Sequence, residues 1–270
     1  MENRSALPGA DRLGVLTAAV LLTFALTRLL PADAVELRFT IGQFYLTYPV
    51  NLTTILTLLA GGLAATGMDW LLRGHPAFGQ RAPAEHWLLP TLATLVAGVP
   101  LGVLPNGLSW WVTFAIAGLA LAIVFIAEYI VVDPASPNYA TATALLTALS
   151  FAVYLVLLTA LRSTGPRLIL ALPSIFAASG LVSLRVLRLR VPGRWELAWA
   201  GGIALISTQL ASALHYWPVS PIRFGLLLLG PLYALTSLAG SLEEKTPIRR
   251  AALEPLVVLA LTWVAATLLG

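Results

Sequence analysis

The sequence predicts an all-α membrane protein: a polytopic bundle of about nine transmembrane helices, with a short extracytoplasmic β-hairpin between helices 1 and 2. Two observations lead there. Only 10% of the 270 residues are charged while 59% are hydrophobic, and the mean hydropathy is +0.87. A water-soluble domain carries about 25% charged residues, so this chain suits an outer surface that faces lipid. The second observation is spacing. Apolar runs close to the roughly 20 residues that cross about 30 Å of hydrocarbon recur along the whole chain.

The runs fall at residues 13–30, 51–72, 86–104, 108–132, 139–161, 168–186, 195–216, 224–242 and 251–269. They make residues 1–270 a single integral membrane domain, with 1–12 as an N-terminal tail. The first run follows a charged segment and precedes Ala32-Asp33-Ala34, a signal-like arrangement. Its length and Arg28 near its end favour a retained span. Between runs one and two, Val35, Leu37, Phe39 and Ile41 alternate with Glu36, Arg38 and Thr40. That is the period of a half-buried strand, and Gly42 can turn the chain into a return strand through Phe44, Leu46 and Tyr48. The hairpin of residues 35–49 is expected as a cap, or as a lid over a cavity. Pro105-Asn106-Gly107 reads as a tight turn between antiparallel helices. Pro90, Pro100, Pro173 and Pro231 each remove a helix donor inside or near a span end. These breaks do not fall at matching positions along the chain, and no internal repeat is visible in the sequence.

Orientation comes from the loop charges. With nine spans, the N-terminus shares a side with Arg4, Arg12, Arg73, Arg81, Arg185, Arg188, Arg190, Arg194, Lys245, Arg249 and Arg250. The opposite side holds only Arg28, Arg38, Arg162, Arg167 and Arg223. Excess Lys and Arg mark the cytoplasmic side, so the chain is expected in a cell (inner) membrane with its N-terminus cytoplasmic and its C-terminus extracytoplasmic. The tryptophans fit this layering. Trp110, Trp111 and Trp217 fall at outer span ends and Trp70, Trp87, Trp195 and Trp199 at inner ends, where amphipathic rings concentrate. Trp263 lies deeper and reads as packing.

The functional candidates are polar. Asp69 and Arg73 stand four apart, on one helix face. Glu128 sits about a turn inside the end of the fourth run, where burial without a partner would cost several kcal/mol, roughly, and Arg185, Arg188 and Arg190 are its expected partners. Asp69, Arg73, Glu128, Asp133 and Arg185 therefore form a candidate cytoplasmic-face cluster, either an electrostatic clasp or a site. Ser207-Thr208-Gln209 is a mid-membrane polar patch without charge, and no carboxylate lies near the middle of a span. That argues against a pump relaying charge through mid-membrane acids. The chain has no cysteine, which excludes disulfides and thiol chemistry. No nucleophile elbow, zinc-binding helix or phosphate loop is present, and no cofactor or metal is expected. A metal site would have to use carboxylates such as Asp69, Glu128 and Asp133 as oxygen ligands. No basic run interleaves with exposed aromatics, so nucleic acid is not an expected partner. Membrane lipids are, and so are other membrane proteins, through small-residue faces such as Gly98 with Gly102, Gly61-Gly62 and Gly201-Gly202.

Residues 67–76, Gly-Met-Asp-Trp-Leu-Leu-Arg-Gly-His-Pro, and 128–134, Glu-Tyr-Ile-Val-Val-Asp-Pro, together resemble an uncharacterised family of bacterial polytopic membrane proteins, a domain of unknown function. The resemblance implies no activity and no catalytic residues. Three function classes follow from the residues. The first is a transport or translocation component for a neutral or lipid-like substrate. The second is an accessory or assembly protein that binds other membrane proteins. The third is an enzyme acting on a lipid or lipid-linked phosphate at a cytoplasmic-face carboxylate site.

Overall fold

The structure is a computed structural model that describes residues 7–30, 35–41, 44–78, 84–191 and 193–269, with the backbone alone described for the strands and Ala84. The chain forms two compact units, Met1–Tyr139 and Ala140–Gly270. Among the described residues, nine apolar helical stretches are long enough to cross a membrane, so the coarse architecture is a helical, polytopic one.

The first unit contains α1 (Ala10–Leu29), β1 (Val35–Ile41), β2 (Phe44–Val50), α2 (Leu52–Leu72), α3 (Ala84–Val103) and α4 (Leu108–Ile130). Helix α2 packs between α1 and α3, and α4 closes against α1 and α3. Between α1 and α2 the backbone pairs antiparallel, Val35 opposite Val50 and Ile41 opposite Phe44. The turn residues Gly42 and Gln43, the signal-like residues 31–34 and Arg81 lie outside the described residues, and the cap or lid expected of this segment gains no support. Asn51 starts α2 by accepting the Thr54 backbone N–H at 2.9 Å, a standard N-cap. Gly107 enters α4 at φ 156°, a conformation that costs a side-chain-bearing residue dearly. Small residues bring α2 and α3 together: a Cβ on Gly98 would lie 2.4 Å from Thr57, and one on Gly61 2.8 Å from Leu95.

The second unit contains α5 (Tyr139–Thr164), α6 (Leu168–Arg190), α7 (Leu197–His215), α8 (Pro221–Glu243), a short α9 (Ile248–Ala251) and α10 (Leu253–Leu268). Helices α6, α7 and α8 pack mutually, and α10 lies along α8. The Phe151 and Tyr233 rings, 5.1 Å apart, and the seat of Leu155 and Thr159 over Gly225 hold α5 to α8. Proline leaves a carbonyl free in α8, since Pro231 has no N–H to give Leu227. The Trp263 indole of α10 donates to that carbonyl at 3.4 Å. In hydrocarbon a freed backbone group needs such a partner, so Trp263 does more than pack.

The first four helices of the two units share a burial spacing, although α1 packs closely along α2 and α5 has no such close packing against α6. In α1 the buried residues Leu16, Val20 and Phe24 have the spacing of Ser150, Tyr154 and Leu158 in α5. Leu56, Ala60, Ala64, Met68, Leu71 and Leu72 of α2 follow the spacing of Ala171, Ile175, Ser179, Ser183, Val186 and Leu187 of α6. Leu89 and Ala93 of α3 match Ile203 and Ser207 of α7. One contact fixes this register. Arg28, ending α1, donates to the Leu101 carbonyl at 2.9 Å and to the Leu104 carbonyl, with its guanidinium 5.1 Å from the Trp110 ring at the start of α4. Arg162, near the end of α5, donates to the carbonyls of His215 at 2.6 Å and Trp217 at 2.7 Å. Its guanidinium lies 5.4 Å from the Phe224 ring at the start of α8. In each unit the arginine of the first helix thus caps the third helix and stacks on the fourth. The last helix, α10, stands outside the repeat.

Each clamp satisfies carbonyls that a helix end leaves without partners, and hydrogen bonds to a charged group contribute about 1.5–3 kcal/mol. Arg28→Met and Arg162→Met should each lower the thermal midpoint of the detergent-solubilised protein by a comparable amount. Loss in one variant with no change in the other would show that the two clamps are not equivalent.

Candidate functional site

Among the described residues Glu128 is the one buried acid. It lies two residues before the end of α4, where a 3.6-residue repeat turns it toward the same interior as Leu121, Val124 and Phe125, and its exposure is 0%. His86 in the first turn of α3 meets it, with Nδ1 2.8 Å from Oε2 of Glu128. His86 is itself buried, and Glu85 lies 3.5 Å from its Nε2. Taking an imidazole and a carboxyl out of water is costly unless they share a hydrogen bond. The contact between Nδ1 and Oε2 supplies that hydrogen bond. Glu85 and Glu128 have further polar partners.

The other candidates of this unit lie around the same helix ends but engage separately. Asp69 pairs with Arg73 at 2.7 Å on the surface of α2, with the Arg73 side chain 72% exposed. Such an i,i+4 pair contributes about 0.3–0.5 kcal/mol. Asp133 accepts the Ala135 N–H at 3.0 Å, closing its own turn before α5. Arg12 reaches across the carboxyl end of α2, 5.4 Å from the Trp70 ring and so close to Gly74 that a Cβ there would meet it at 2.5 Å. A cation there faces the negative end of the helix dipole. His75, just beyond α2, packs edge-on to Tyr129 at 4.5 Å and accepts the Ala77 N–H on Nδ1 at 3.0 Å.

Among the described residues, no three His, Cys, Asp or Glu side chains gather as a metal ion would need. Asp69, Glu128 and Asp133 go to three different partners, so the carboxylate metal site that an enzyme reading required has no geometry behind it.

In the second unit Arg185 is buried in α6 and engaged. Arg190 binds the Ser237 carbonyl at 3.0 Å and Glu244 at 3.3 Å, which ties the end of α6 to the end of α8. The mid-membrane patch divides. Thr208 spends its hydroxyl on the Ala204 carbonyl at 2.7 Å, Gln209 is exposed, and Ser207 is fully buried. Ser207 lies beside Tyr154 of α5 and Ser179 of α6, both at 0% exposure. Sequence reasoning did not connect His86 with Glu128 and passed over Tyr154 and Ser179. The available signal was their position: a tyrosine in the middle of an apolar span, and a histidine opening one.

These features define a class: a polytopic integral membrane protein whose ionisable groups collect at helix ends and whose span centres carry hydroxyls. A family model matches residues 32–269, and the chain belongs to that family, described as Protein of unknown function (DUF5656). No curated protein and no solved structure matches the chain.

Two expectations follow. Glu128→Ala strands His86 in the interior and should cost about 3–5 kcal/mol, as breaking a buried pair does. Glu128→Gln keeps a hydrogen-bond partner and should cost less, and equal losses in urea unfolding would contradict the pairing. The second concerns pH. Burial lowers the His75 pKa from 6.5, with Asp133 opposing the fall and His86 adding to it. The unfolded chain therefore binds a proton that the folded chain refuses. Stability rises with pH between the lowered value and 6.5, and is lost as pH falls through that window. The wild-type thermal midpoint should drop on acidification below pH 6.5, and His75→Asn should flatten that slope; an unchanged slope would assign it elsewhere.

Proposed function

We propose that the protein is a transport or translocation component of a cell (inner) membrane, acting on a neutral or lipid-like substrate. One observation carries the reading: the first four helices of each unit share a burial spacing and the same arginine clamp. Repeats within one chain are a recurrent transporter architecture. The uncharged span centres favour a substrate without net charge, because a charged one would find no counter-ion there. The loop charges support a cytoplasmic N-terminus and an extracytoplasmic C-terminus, which would put the hairpin and both arginine clamps at the outer face.

A second reading, an accessory protein that binds another membrane protein, is favoured by α7. Gly202 and Gln209 are both exposed on it, and a Cβ added to Gly202 would meet nothing within 4 Å. An amide about two turns along the same helix face from a small residue suits a neighbouring helix that can hydrogen-bond to it.

Purified protein in sealed liposomes should raise the permeability to uncharged solutes above that of empty vesicles; equal permeability across a solute panel, with a stoichiometric membrane protein copurifying in native lipid, would favour the accessory reading. Because the chain has no cysteine, single substitutions test the orientation without background. Ser163→Cys should react with an impermeant maleimide from outside intact cells and Ile248→Cys should not, whereas the reverse would invert the topology.

A further inference from the structure

The segment between α8 and α10 carries three exposed cations, Lys245, Arg249 and Arg250. Among the described residues, none of these side chains has a hydrogen-bond or ion-pair partner. The nearby acids face elsewhere. Glu243 accepts the Trp199 indole N–H at 2.8 Å, Glu244 pairs with Arg190 at 3.3 Å, and Glu254 accepts the Tyr233 hydroxyl. Glu254 stands four residues after Arg250, the spacing of a helical ion pair, and yet it binds Tyr233. Other arginines are engaged within the chain: Arg12 on Trp70, Arg28 and Arg162 in the clamps, Arg73 with Asp69, Arg194 with Glu196.

The local structure does not call for these charges. Lys245, the chain's only lysine, sits at φ 59°. Its N–H bonds the Leu242 carbonyl at 2.9 Å, and the Thr246 N–H bonds the Ser241 carbonyl at 3.0 Å. These paired bonds close α8 through a left-handed residue, a place that suits glycine and strains a lysine. Further on, Pro255 has no N–H for the Ala251 carbonyl, and the helix breaks at Ala252 between α9 and α10. Ala252 keeps a right-handed helical backbone, so α9 and α10 follow one path. Arg249, Leu253, Val257 and Leu261 stand at four-residue steps along it, one row of a helix, and all are exposed. The row is a cation followed by an apolar stripe, about 18 Å from end to end at 1.5 Å per residue. It lies on the least buried of the nine candidate spans.

We propose that this face binds one anionic phospholipid, with Lys245, Arg249 and Arg250 on its headgroup and an acyl chain along Leu253, Val257 and Leu261. The cations join two spans and so lie at a membrane surface, the level of lipid phosphates. A guanidinium presents forked donors that match phosphate oxygens, and an anionic leaflet attracts Lys and Arg beside it. The lipid supplies the negative charge that Glu243, Glu244 and Glu254 direct to other partners. A zwitterionic lipid carries its own ammonium, which three cations repel. A free phosphate answers the cations but makes no use of the stripe. The proposal is independent of the transport reading and of what the protein moves.

Native mass spectrometry of the full-length protein in detergent tests this, with phosphatidylglycerol and phosphatidylcholine of identical acyl chains as probes. The wild type should bind its first phosphatidylglycerol about tenfold more tightly than phosphatidylcholine. Arg249→Gln combined with Arg250→Gln should abolish that preference, and Lys245→Gln should weaken it. Arg194→Gln, which removes a cation already paired with Glu196, should keep it. Thermal melts identify a double variant that fails to fold, in which case Lys245→Gln decides. Glycerol 3-phosphate, a headgroup phosphate without acyl chains, should not displace the lipid; displacement would make this a free-phosphate site and overturn the proposal. A dimer mass in place of lipid adducts would give the face to a second copy of the chain. Equal binding of the two lipids by the wild type, or a preference that the double variant retains or Arg194→Gln also abolishes, means unspecific lipid contact, and the proposal fails.

Discussion

The structure depends on how a helix ends inside a membrane protein. The last carbonyls of a helix have no partner within it, and near hydrocarbon they cannot be left bare. Arg28 and Arg162 resolve this in the same way. Each lies at the end of its unit's first helix, donates to the last carbonyls of the third, and rests on an aromatic ring at the start of the fourth. One side chain thereby joins three helices. A guanidinium suits the task because its donors form a rigid fork and its plane can stack while they bond. A lysine could reach one carbonyl but not bind two and stack on a ring.

At the opposite helix ends the problem is charge rather than backbone. There Asp69, Asp133 and Glu128 are kept apart, Asp69 on the surface with Arg73, Asp133 in its own turn and Glu128 inside with His86, which Glu85 approaches from its other nitrogen. Like charges brought together in a partly buried place would repel and force one carboxyl to keep its proton. Separation avoids that and also removes a metal site. Of these pairings, only His86–Glu128 is buried on both sides, so it couples α3 to α4 far more strongly than the exposed pair can affect α2.

Much of the fold was legible in sequence because hydrophobic length is a direct consequence of bilayer thickness. The nine spans and the Asp69–Arg73 pair follow from spacing alone. The repeat was not legible, since it resides in which positions are buried rather than in which residues occupy them. Leu16 against Ser150 and Met68 against Ser183 share a place and no chemistry. The prolines misled as well: Pro90, Pro100, Pro173 and Pro231 fall at unmatched places, and taken as markers of symmetry they argued against any. Arg28 and Arg162 counted only as minority charges in the orientation argument, because sequence gives no sign that a distant carbonyl lies within reach. His86 could not be tied to Glu128 for the same reason, since they stand 42 positions apart in the chain.

Two units that share a burial spacing are free to differ in content, and the difference is informative. Where geometry is shared, any residue needed for packing alone should be apolar in both. The clamp is polar in both units and is therefore part of what they share. At the centre, Val20, Ala64 and Ala93 are buried in one unit, while Tyr154, Ser179 and Ser207 hold the corresponding sequence positions in the other, where Ser179 donates to the Ile175 carbonyl and Tyr154 lies within reach of both serines. That polar group is confined to one unit, so the two units share a clamp and differ in the chemistry of their interiors.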